Sequence, residues 1–291
     1  MTDFLRYCEV IIGPLADWQG AGNAGQAIRI IADGTTERLR VQFSATKTVT
    51  GEPNKCEISI TGLSRETRRA IRANLTRVQV IAGYESSASS AGLVCSGALM
   101  GVITQRQGAD IVTKLIALDG MGGMSRGVYA RAFSGGTPVA DVVREIAASM
   151  PGVDVGNIKI TGNLFPKGLQ LSGSSTSQLN KLADQYGFSW SVQNGTFQAI
   201  MDGQDSGEGF SFDSDTNLIA CVPVLNGPLQ VPIGIEVTAK FEARVKPGDR
   251  IIVRSTISPE LSGTYTATGP VTIAFDSHGP ASTKIQSLRY F

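Results

Sequence analysis

A chain of 291 residues with 42% hydrophobic and 18% charged positions has the composition of an ordinary soluble globular protein, long enough for one large core or two to three modest ones. Lys plus Arg (26) nearly cancels Asp plus Glu (25), leaving a formal charge of +1; this excludes the basic stripe of nucleic-acid binders and any charged tail or membrane-surface segment. No apolar run approaches the ~20 residues that span a bilayer, and charges on both sides of the short apolar stretch within Met1 to Gly13 argue against a signal peptide.

The 34 glycines and 12 prolines point to many turns between short strands. From Arg6 to Asp119 the pattern is two-fold alternation, the mark of half-buried strands. Cys8, Val10 and Ile12 alternate with Tyr7, Glu9 and Ile11, and Ile28 and Ile30 flank Arg29. Leu39, Val41 and Phe43 alternate with Arg38, Arg40 and Gln42, and Cys56, Ile58 and Ile60 with Glu57 and Ser59. One helix interrupts them over Arg65 to Leu75, with Ser64 as N-cap, Glu66 in the positive first turn, and Ala70, Ile71 and Leu75 at helical spacing. Strands resume at Arg77 to Tyr84, Cys95 to Gln105 and Asp110 to Leu118, with Glu85 to Gly92 as an exposed loop.

After Asp119 the composition shifts. Gly120 to Gly127 reads as a linker or irregular crossing. Thr137-Pro138 starts a helix with Val139, Val142, Val143 and Ile146 as its apolar stripe, proline being expected at the first helical position. A second helix begins near Ser175 or Thr176, carries Leu179, Leu182, Ala183 and Tyr186 on one face, and stops at Gly187. Phe188 to Gln193 and Thr196 to Ile200 then flank Asn194-Gly195, a strong two-residue hairpin signal. From Gly207 strands return: Ile235, Val237 and Ala239 alternate with polar neighbours, Lys246 to Asp249 is a turn, and Ile251 to Ser255, Gly263 to Thr268, Val271 to Asp276 and Thr283 to Tyr290 follow. The expected fold is mainly β (α+β), with domains at 1–125 (β with one short helix), 126–202 (small α+β module) and 203–291 (second β domain).

Signals for chemistry are weak. Gly20 to Gly25 matches GxGxxG, yet Ala27-Ile28-Arg29-Ile30 after it alternates as a strand, where a dinucleotide site needs a helix. His278, the one histidine, sits in a turn-like Asp276-Ser277-His278-Gly279-Pro280. Cys8, Cys56, Cys95 and Cys221 form no CxxC pair and read as reduced, mostly buried thiols in a protein made in the cytoplasm. Asp202, Asp205, Glu208, Asp213 and Asp215 cluster in a glycine-rich stretch but fit no EF-hand spacing, and a polar linker is the plainer reading. Trp18 is isolated, and Trp190, in a hairpin beside a helix, reads as core. Arg65, Arg68, Arg69 and Arg72 line the polar side of the first helix, a solvated or subunit-facing surface. No catalytic residue, cofactor or metal ligand is assigned, and the chain is expected not to be an enzyme.

The order of several short motifs resembles the central hub proteins of phage tail baseplates. They are Asn54-Lys55-Cys56-Glu57-Ile58-Ser59-Ile60-Thr61-Gly62-Leu63-Ser64 with Thr67-Arg68, then Val78-Gln79-Val80-Ile81-Ala82-Gly83-Tyr84, Cys95-Ser96-Gly97-Ala98-Leu99 and Ile116-Ala117-Leu118-Asp119-Gly120. Ser177 to Ala183 with Gly187-Phe188-Ser189-Trp190 is similar to the hubs' small α+β insertion, and Val245 to Asp249 to the return into their second barrel. The resemblance implies two tail-tube-like β-barrel domains per chain and a homotrimer whose six barrels match a six-fold tail tube to a three-fold spike. It implies as partners the tube or a tube initiator, the spike and other baseplate proteins, with DNA passing through the lumen unbound. It places the protein in the virion's tail baseplate, after assembly in the host bacterial cytoplasm, with no membrane segment. Three other readings are a spike base of a tailocin or secretion-type injection machine, a siphophage tail-tip or glycan-binding tail protein, against which the 7% aromatic content counts, and a cell-wall hydrolase, which would need a carboxylate such as Asp205 or Asp213 for activity.

Overall fold

The computed structural model describes residues 6–13, 27–32, 39–74, 77–84, 91–164, 168–226 and 231–288. The first stretch runs β1 (Arg6–Gly13), β2 (Ile28–Ala32), β3 (Arg40–Lys47), β4 (Asn54–Thr61), α1 (Arg65–Asn74), β5 (Arg77–Tyr84), β6 (Gly92–Gln107) and β7 (Asp110–Asp119). These strands lie in the order β2-β1-β5-β6-β7-β4-β3, all antiparallel. Alternation buries one face of each: Val41, Phe43 and Ala45 on β3, Cys56, Ile58 and Ile60 on β4, Val78, Val80 and Ala82 on β5. Each fully buried Val or Ile contributes about 1.5–3 kcal/mol, so the pattern itself selects which face turns inward. Ser64 caps α1, its Oγ accepting from the Thr67 amide at 3.0 Å, and Ile71 is the helix residue driven into the core. Ala70 is exposed, and Leu75 lies outside the described residues.

The middle stretch is α2 (Met121–Arg126), β8 (Val128–Phe133), α3 (Val139–Ala148), β9 (Asp154–Lys159), β10 (Leu169–Ser174), α4 (Ser175–Tyr186), β11 (Phe188–Gln193) and β12 (Thr196–Met201). The Asn194-Gly195 turn has φ of 56° and 83°, the two positive angles a two-residue hairpin turn requires. β9 adds to β12 in parallel, and β8 and β10 make a separate ribbon. Val139, Val142, Val143 and Ile146 of α3, Leu179 and Leu182 of α4, and Trp190 and Phe197 of the hairpin form a core of their own. The sequence shows Gly120 to Gly127 as a linker, but the chain there forms α2. Two glycines disfavour a helix intrinsically; here packing overrides propensity, because Gly123 lies so close to Val153 and Met150 that a side chain would collide. Pro138 stands one position before α3, as its N-cap, not at its first turn.

The last stretch is β13 (Gly209–Asp213), β14 (Leu218–Asn226), β15 (Val231–Lys240), β16 (Arg250–Arg254), a 3-10 turn at Pro259–Leu261, β17 (Gly263–Thr266), β18 (Val271–Asp276) and β19 (Ser282–Leu288). β13 pairs in parallel with β16, and the other pairings are antiparallel. The chain is therefore mainly β with a small α+β part, as the alternation predicts. The two strand-rich stretches are joined edge to edge, β3 pairing antiparallel with β18 from Gln42↔Asp276 to Lys47↔Val271. One hydrophobic core runs through both stretches. At the junction Phe43 stacks on Phe275, with centroids 5.2 Å apart and rings 5° from parallel, and Phe241 meets both edge-on.

Candidate functional site: the module socket and the strand junction

Three polar clusters hold the three stretches together. The first is a socket for the hairpin tip. Asp119, at the end of β7, accepts hydrogen bonds from the backbone amides of Asn194 and Gly195, the latter at 2.9 Å. Asn194 Nδ2 donates to the Leu93 carbonyl at 2.8 Å. Asn54 donates to the Val192 carbonyl (2.8 Å) and Gln193 Oε1 (3.0 Å), while Gln193 Nε2 donates to the Thr48 carbonyl at 2.8 Å. On the other side Gln198 Nε2 donates to the Pro247 carbonyl and the Ser206 amide to the Gly248 carbonyl, each at 2.8 Å, while Ser206 Oγ donates to Asp249 at 2.6 Å. The β11–β12 hairpin is thus tied to both strand-rich stretches.

Behind the socket the side chain of Lys47 is buried, with no hydrogen-bond partner for Nζ. Burial lowers its pKa to about 8, against the opposing charge of Asp119. Burial likewise raises Asp119 to about 6, although the two amides and Lys47 favour its ionised form. Cys95 next to them is raised by its hydrogen bond with Cys56 and by burial, and burial pushes up Cys8 and Cys221. Thiols held protonated in this way are poor nucleophiles.

The third cluster closes the β3–β18 junction. Asp276 accepts from Arg40 Nε (3.0 Å) and Nη2 (2.5 Å), from Gln42 Nε2 (2.9 Å) and from the His278 amide (3.0 Å). Burial alone would raise this carboxyl, but the Arg40 guanidinium and the two amides outweigh it and hold the pKa at about 2. His278 is exposed, and its Nδ1 lies 2.9 Å from Ser277 Oγ; its link to Asp276 runs through the backbone amide, so the three residues make a turn and not a proton relay.

The acidic stretch does not converge. Asp205 pairs with Arg250 at 2.9 Å, Asp202 accepts from Ser189 at 3.1 Å, and Asp213 accepts from the Asp215 amide at 2.9 Å. Among the described residues no group of three His, Cys, Asp or Glu is placed to hold a metal ion. Trp190 is buried, stacked on Phe197 with Nε1 donating to Asn180 at 2.9 Å. Gly20 to Gly25, Trp18 and most of the Glu85 to Gly92 loop lie outside the described residues. Arg65, Arg69 and Arg72 stand exposed along α1, with Arg68 partly covered. No described helix is long and apolar enough to cross a membrane.

The sequence matches a known family. Residues 27–276 fit the family model described as baseplate hub gp41. The chain belongs to the baseplate hub family. This baseplate protein also shares its fold with solved tail proteins. The 43 kDa tail protein of prophage MuSo2 from Shewanella oneidensis is similar over 97% of this chain and 96% of its own, with a TM-score of 0.63 and 10% identity. A tail protein from Neisseria meningitidis MC58 covers 97% and 96%, with a TM-score of 0.62 and 11% identity. The Escherichia coli c3393 protein, a component of the type VI secretion system, covers 87% of this chain and 73% of its own, with a TM-score of 0.58 and 11% identity. No curated protein matches the sequence. The hub is thus a structural component of a phage tail baseplate.

Sequence reasoning missed the socket. Asp119 and Asn194 each carry a local signal, a strand end and a hairpin turn, but nothing in the sequence brings together residues 75 positions apart.

Proposed function

We propose that the hub is a non-enzymatic homotrimer that adapts a six-fold tail tube to a three-fold spike, with DNA passing through its lumen. In this reading the chain divides at 1–125, 126–202 and 203–291, and each strand-rich part is a tube-like barrel. The observation that carries it is the β3–β18 junction, which sets two strand-rich units side by side in one chain. Three such chains present six similar units in a ring, and a ring leaves no open sheet edges. The near-neutral charge suits a channel, because a basic lumen would hold DNA. Tube or tube initiator, spike and other baseplate proteins are the partners this reading assigns. Neutral thiols and the carboxylates engaged in structural contacts agree with the absence of catalysis in this role. The fold shared with a type VI secretion component favours a second reading, the spike base of a related injection machine.

Native mass spectrometry of the purified chain tests the proposal. The expected species has three times the 30.6 kDa chain mass, and imaging should then show a ring with pseudo-six-fold symmetry. A stable dimer would overturn it.

A further inference from the structure

Six arginines, Arg29, Arg40, Arg131, Arg144, Arg244 and Arg250, each pair with a carboxylate of the chain. Those of α1 do not. Arg65, Arg68, Arg69 and Arg72 have no carboxylate partner among the described residues, and Arg68 Nε reaches only the Ser64 carbonyl, at 3.3 Å. Glu66, the one acid of the helix, pairs with none of them.

Their spacing of i, i+3, i+4 and i+7 puts the four on one face. With 3.6 residues per turn they fall within an arc of about 100°, in a row about 10 Å long. Arg65, Arg69 and Arg72 are exposed and Arg68 is half-buried, since Ile71 beside it turns into the core. Like charges at these spacings repel and weaken the helix. Arg65 and Arg68 also stand in the first turn, where the helix dipole disfavours a cation. An anion from outside the described chain relieves both. The four arginines and Thr104 of β6 line a hollow of about 210 Å³, and Thr104 Oγ1 has no hydrogen-bond partner. Arg106, two residues further along β6, is exposed and turns to the same face as Thr104.

We propose that this face docks an acidic protein segment, a part of another tail component that presents a cluster of carboxylates to the arginine row. Guanidinium forks match carboxylates in bidentate pairs, and Thr104 adds a neutral donor at the edge of the row. A protein fits the row better than nucleic acid does. DNA offers a charge about every 1.7 Å and calls for a long basic track, whereas this row ends after about 10 Å on a chain of net charge +1. That the partner belongs to the tail rests on the hub reading above. Its acidity rests on α1 and Thr104 alone.

Fluorescence anisotropy with the full chain tests this. The probe is a labelled helical peptide with glutamates at i, i+3, i+4 and i+7, and its control has glutamine at those positions. The acidic peptide should bind at least about tenfold more tightly than the control, and should weaken several-fold between about 50 and about 200 mM NaCl. Arg68→Glu with Arg72→Glu should lower the affinity at least about tenfold, while native mass spectrometry shows the same oligomer as wild type. If that variant does not fold, Arg68→Gln with Arg72→Gln removes the charge at little cost in helix propensity and should act in the same direction. Equal binding of the two peptides, or unchanged binding by the variants, overturns the proposal. A short DNA duplex that displaces the probe at lower concentration than unlabelled peptide also overturns it, and makes nucleic acid the ligand. So does a variant that loses the wild-type oligomer, which makes α1 a contact between copies. A wild-type chain that forms a stable dimer overturns the trimer and leaves the acidic docking face standing.

Discussion

At the scale of single residues the least expected feature is Lys47, a buried ammonium without a hydrogen-bond partner. Its usual pKa of 10.5 falls to about 8 in the folded chain. A base depressed in this way contributes stability above pH 10.5 that is lost as pH falls through 8, so at neutral pH its charge costs the fold. A fall from 10.5 to about 8 bounds that cost at ~3 kcal/mol. Lys47→Met should therefore stabilise the chain by about 1–2 kcal/mol at pH 7, the remainder being lost to imperfect packing of the thioether in a site shaped around lysine. Urea melts of both proteins across pH 7 to 10.5 check this: the gap should be widest below pH 8 and close toward 10.5. A gap independent of pH would show that the lysine costs nothing by its charge.

At the scale of elements the socket decides how the module is held. Asp119→Ala removes the acceptor of two backbone amides and leaves them buried without partners, at a cost of about 1–3 kcal/mol. Hydrogen exchange should show faster exchange in β11 and β12 and no change in β1 and β5. Uniform acceleration throughout the chain would mean that the hairpin is not held locally. Elements with a strong local rule were legible in the sequence. Alternation marks β3 and β4, a serine cap marks α1, and Asn194-Gly195 marks the β11–β12 turn. Others were not. β9 reads Asp-Val-Gly-Asn-Ile-Lys, is mostly exposed and has no alternation, and it is a strand because β12 offers it a parallel edge. α2 is helical against its own glycines. The arginines of α1 were visible as a charged face, but their nearness to Thr104 of β6 depends on how the chain folds between them.

At the scale of the whole molecule the two strand-rich stretches share one core, so they should unfold together. Phe275→Ala removes the ring that stacks on Phe43 and meets Phe241, at a cost of about 3–5 kcal/mol. Calorimetry should show the strand-rich stretches melting as a unit at a lower temperature; a split in which only the later strands melt early would mean that the shared core does not couple them. The same junction has a consequence in time. Arg40 and Asp276 are separated by 236 positions, so on a ribosome adding 5–20 residues each second β3 waits roughly 10–50 s for β18 to emerge. Throughout that interval the nascent hub carries an unsatisfied row of backbone donors and acceptors beside Phe43. Its yield on expression should then depend on how well that one strand is shielded during translation, and slowing synthesis between β4 and β18 should lower it.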